Sequence, residues 1–89
     1  MKNRTSIVVD SFIELPLKQL CHVPIIVVYN SPSDFPGKYV ARLWDIYKKA
    51  TAYAMVAATL ESIHMGIPVM MTRLGPAATD DPVIVETWL

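Results

Sequence analysis

The sequence predicts a small α+β domain: a four- to five-stranded, mostly antiparallel sheet with one short helix packed on one face. Three observations predict it. The stretch Pro24-Ile25-Ile26-Val27-Val28-Tyr29-Asn30 runs through five apolar residues without a polar interruption. Its β-branched side chains favour extended backbone, and the lack of alternation marks a central strand covered on both sides. Lys38 to Trp44 does alternate, as a second strand would. Thr59 and Gly66, with Pro68 beyond, bracket a helix of about two turns.

Composition sets the bounds. Eighty-nine residues make one domain, and a chain this short buries only about 60–65% of its unfolded surface. It is 53% hydrophobic and 18% charged, against a usual ~45–50% and ~25%. A small interior cannot hide that excess, so part of it is expected at the surface, where a partner or a second copy would cover it. The formal net charge is zero, from eight basic and eight acidic residues spread along the chain. No basic run is present to neutralise phosphates, which argues against nucleic acid as a partner. The single cysteine, Cys21, excludes an internal disulfide, and a cytoplasmic location follows most simply.

Ala50 to Thr72 is long enough to span a bilayer and holds one formal charge, Glu61. Glu61, His64 and the Gly66-Ile67-Pro68 break fall in its middle, so no membrane partner is expected. Asp10 and Glu14 likewise interrupt any signal-peptide core near Lys2 and Arg4.

Taken in order, residues 1–22 read as an N-terminal arm or extension, and residues 23–89 as the compact domain. Ser6 to Val9 suits a short strand. Ser11 and Glu14 have capping-box spacing, but Pro16 would then fall inside the helix, so a short helix is better started at Pro16 and run to Cys21. Leu15, Leu17 and Leu20 would pack onto the sheet. After strand 24–29, Ser31 to Gly37 is a turn-rich loop in which Pro36-Gly37 suits a type II turn with positive φ at Gly37. The loop joins an antiparallel hairpin to strand 38–44. Asp45 to Lys49 reads as a solvated connection. Tyr53 to Ala57 is a third strand, followed by the Thr59-capped helix, with Gly66 as its left-handed C-terminal residue. The alternative merges residues 50–65 into one alanine-rich helix. Pro68 to Leu74 reads as a fourth strand, Gly75 to Pro82 as a loop, and Val83 to Trp88 as the last strand, with Pro82 at its start.

Pro36-Gly37-Lys38-Tyr39-Val40-Ala41-Arg42-Leu43-Trp44-Asp45 and Asp80-Asp81-Pro82-Val83-Ile84-Val85-Glu86-Thr87-Trp88 resemble two blocks of short uncharacterised bacterial proteins. The resemblance covers roughly the C-terminal two thirds of the chain. It implies a self-contained unit and brings no activity with it. Those proteins carry a more charged helix where this chain has Ala57 to His64.

No motif assembles catalytic groups. Cys21 and His22 are neighbours, and adjacent side chains in a helix diverge rather than form a nucleophile–base pair. His64 falls in the last helical turn, where a protonated imidazole complements the helix dipole. Asp80 and Asp81 diverge in an extended loop, and Asp before Pro starts a turn. Histidine and cysteine show no metal-ligand spacing, and the isolated Gly37, Gly66 and Gly75 make no phosphate cradle. No cofactor is expected.

One constellation stands out. If strand 83–88 pairs near strand 38–44, a single sheet face carries Val40, Arg42, Trp44, Ile84, Glu86 and Trp88, with Arg42 and Glu86 able to pair across strands. Tryptophan beside arginine is the composition of binding hot spots. The competing expectation is that Phe12 to Leu20 folds over that face. The sequence thus points to a non-catalytic protein-interaction or homo-oligomerising module. The alternative is a small enzyme or accessory subunit with a site around His64, Cys21 or Asp81.

Overall fold

The computed structural model describes residues 7–46, 50–75 and 83–89. The Asp80-Asp81-Pro82 turn, Asp81 itself and the 47–49 connection lie outside the described residues.

The chain is an α+β domain built on a six-stranded mixed sheet in the order β1-β4-β3-β2-β6-β5. The strands are β1 Ile7–Val8, β2 Pro24–Asn30, β3 Tyr39–Asp45, β4 Ala50–Ala57, β5 Arg73–Leu74 and β6 Ile84–Trp88, with helices α1 Leu17–Leu20 and α2 Leu60–Met65. The expected four or five strands become six, because residues 7–8 pair with Tyr53 and Ala54 in parallel. All the other pairings are antiparallel. The uninterrupted run of β2 occupies a central position between β3 and β6.

The β2–β3 hairpin pairs in full register from Pro24–Asp45 to Asn30–Tyr39. Its loop closes through Gly37, at φ +79°, whose N–H donates to Ser31 Oγ at 2.9 Å. Residues 50–57 are strand, not helix. Where the β3–β4 register shifts between Arg42 and Trp44, the Thr51 hydroxyl donates to the Leu43 carbonyl at 2.8 Å and accepts from the Tyr53 N–H at 3.2 Å. A side chain thus takes up backbone groups that the interrupted ladder leaves over.

Helix α2 starts where expected: Thr59 Oγ1 accepts from the Ser62 N–H at 3.2 Å. Gly66 ends it at φ −98°, ψ 4°, outside the left-handed region expected there. Close approach explains the glycine instead, since an added Cβ would collide with Met55 Sδ and lie 2.8 Å from Met55 Cε. Only Arg73 and Leu74 of the expected fourth strand join the sheet. The Met71 N–H turns back to Pro68 O at 3.1 Å, so the first part of that segment bends rather than extends.

The core lies on one side of the sheet. Ile26, Val28, Ala41, Leu43 and Met55 point into it and meet Phe12, Cys21, Ile63 and Ile67. The described part of the arm is therefore built into the domain, with Phe12 wholly buried. It packs on the helix side, not over Trp44. Asp45 is also buried rather than solvated, and its carboxylate accepts from the backbone N–H groups of His22 at 3.1 Å and Val23 at 3.5 Å.

Candidate functional site

Residues opposite one another in a ladder share a face. Ile25 faces Trp44, Val27 faces Arg42 and Tyr29 faces Val40, while Arg42 and Val40 face Ala54 and Val56. These form the second face of the sheet, turned away from α1 and α2. Val40 and Ala54 are buried beneath their neighbours, whereas Ile25, Val27, Tyr29, Trp44 and Val56 are half-buried. Among the described residues, no helix packs there. Arg42 is tied by its guanidinium to Asp34 of the hairpin loop. The Trp44 indole N–H is buried with no hydrogen-bond partner.

Strand β6 divides the six residues expected on one face. Val28 faces Glu86 and Tyr29 faces Ile84, so Val85 is an extra residue in the ladder. Such a bulge breaks the two-residue alternation. Ile84 stays with Val40, Arg42 and Trp44. Glu86 and Trp88, opposite Val28 and Ile26, turn to the helix side. Strand β2 also lies between β3 and β6, so Arg42 and Glu86 are not cross-strand neighbours.

Glu86 is instead the centre of a second cluster. Its carboxylate is fully buried, and it accepts from Arg73 Nε at 2.8 Å and from the Trp88 indole N–H at 2.8 Å, with His64 Nε2 at 2.6 Å. The Trp88 ring also meets the His64 imidazole edge-on, at 5.5 Å between centroids. Burial alone would push the Glu86 carboxyl up. The bonds from Arg73, Trp88 and His64, with the His64 charge, outweigh it and hold the group below its ordinary value. The His64 and Arg73 side chains are 38% and 54% exposed, so the cluster is a buried anion capped by two groups that reach water.

An imidazole held by a buried carboxylate is oriented as a general base would be. Catalysis also requires a nucleophile or a substrate-polarising group in reach. Cys21 is sealed in the core just before Pro24, whereas Glu86 stands opposite Val28 further along the same strand. His22 contacts Asp45, its Nδ1 lying 3.5 Å from the carboxylate. No group of three or more metal-ligating side chains occurs among the described residues, and no described helix is long and apolar enough to cross a membrane.

Ile25, Val27, Tyr29 and Val56 form no recognisable motif in the sequence, although the unbroken run of β2 implies two covered faces. Arg73 carried no signal at all. It reaches Glu86 only because β5 pairs with β6, Arg73 opposite Trp88. Comparison with protein-family models, curated proteins and solved structures gave no match to this chain.

Proposed function

We propose that this chain is a non-catalytic interaction module that associates with a second copy of itself through the second face of its sheet. One observation carries the reading: Ile25, Val27, Tyr29, Trp44, Val56 and Ile84 share one sheet face, around Arg42 and Thr87, on which no described helix packs. Sheets with such faces bury them against another layer. Two copies placed face to face would form a four-layer arrangement, helix–sheet–sheet–helix, with the inner sheets about 10 Å apart. A two-fold axis makes one patch serve both partners, so no foreign complement is needed. Arg42, Trp44 and Ile84 belong to this interface, with Val40 buried beneath them, while Glu86 and Trp88 lie on the opposite face. A cytoplasmic setting suits a chain whose sequence holds a single cysteine, Cys21.

The test is acrylamide quenching of a Trp88→Phe variant, in which Trp44 alone reports. Quenching should fall as protein concentration rises. Quenching independent of concentration across the range would end the reading.

His64 on buried Glu86 favours a second reading, a site that completes a partner's active centre. In that case His64→Ala would remove an activity without lowering the melting temperature. If the cluster serves only the fold, the same change lowers it.

A further inference from the structure

On the helix side, a groove of about 570 Å³ runs between residues 12–24 and residues 68–71. Its volume falls within the roughly 300–1,000 Å³ typical of small-molecule sites. Phe12, Leu15, Leu17 and Met71 form its apolar walls, and Lys18 and Gln19 are the only polar side chains among the described residues that line it. We propose that this groove binds an aliphatic carboxylate, with the chain along the apolar walls and the head group on the Lys18 ammonium.

Charge and exposure fix the class of ligand. Lys18 carries the one charged side chain among the described lining residues, which also include Leu89, and it gives the groove a cationic partner for an anion. Gln19 adds an amide donor beside it. Ile13 and Met70 also line the groove, yet are 54% and 81% exposed. They leave apolar surface in water that an alkyl chain would cover. Met70 and Met71 are unbranched, so they can adjust around chains of different length. The groove shares no residue with the second face of the sheet, so ligand binding and self-association are separable.

Isothermal titration of the full chain with octanoate, decanoate and dodecanoate, below their micelle concentrations, tests the assignment. One ligand per chain is expected, with affinity rising about fourfold per added methylene. Decylamine should bind more weakly than decanoate. Lys18→Glu should reverse that preference while keeping its melting temperature. Absence of binding, or equal binding of decanoate and decylamine, overturns the proposal. So does loss of binding in Val27→Glu, which would place the chain on the open sheet face. Self-association abolished by Met70→Asp would give the groove to a second copy and overturn it equally.

Discussion

His64 Nε2 lies 2.6 Å from Oε1 of the fully buried Glu86, linking the last turn of α2 to the final strand. Arg73 holds the other carboxylate oxygen from β5, at 2.8 Å. Gly66 to Thr72, which carries one wall of the groove, is therefore anchored near both of its ends by a single side chain. Removing that anchor has measurable consequences.

Glu86→Gln keeps the shape but loses the charge that three donors converge on. Hydrogen bonds to charged groups contribute about 1.5–3 kcal/mol each. His64 and Arg73 recover part of this by turning to water, whereas the Trp88 indole is less free to do so. A net destabilisation of roughly 1–3 kcal/mol is expected by urea denaturation.

Acid exposes the same group. The folded Glu86 carboxyl is held below its ordinary 4.5, so the folded state binds this proton less readily than the unfolded chain does. Its contribution to stability is complete above the unfolded value and declines as pH falls below it and through the folded value. Denaturation midpoints measured from neutral pH down to pH 2 should fall on the acid side, and Glu86→Gln should flatten that fall.

Gly66→Ala tests close approach against backbone conformation. Because φ is −98°, alanine can adopt the backbone, and the cost comes from collision with the Met55 side chain. Overpacking of this kind costs about 1–3 kcal/mol. In a double-mutant cycle with Met55→Ala, the double variant should lose less stability than the sum of the two single losses. Full additivity would show that Met55 is not the obstacle.

Trp44→Phe removes a buried N–H that has no acceptor. An unsatisfied buried donor costs about 1–3 kcal/mol, which offsets the packing lost with the larger ring. Stability within about 1 kcal/mol of the wild type is expected, in contrast to Trp88→Phe, which takes a donor from Glu86.

Features set by local chemistry were legible from residues alone. Five apolar residues without alternation placed β2 at the centre, Gly37 announced its positive φ, and Thr59 announced its cap. Features set by pairing were not. The extra residue at Val85 is visible only once β6 lies against β2, and it sends Glu86 and Trp88 to the face opposite Ile84. His64, Arg73 and Glu86 share no spacing rule, since three separate elements bring them together. The sequence reads Phe12 as part of an appended arm because nothing in it shows that the core of residues 24–67 leaves room for that ring.

The central claim is that the second sheet face joins two copies of the chain. Sedimentation velocity over a concentration series, comparing wild type with Val27→Glu, addresses it directly. Val27 faces Arg42 across the ladder, so a glutamate there has a cation beside it and the monomer should still fold. The wild type should sediment increasingly as a dimer while the variant remains a folded monomer. A wild type that stays monomeric throughout, or a variant that dimerises equally well, would contradict the claim.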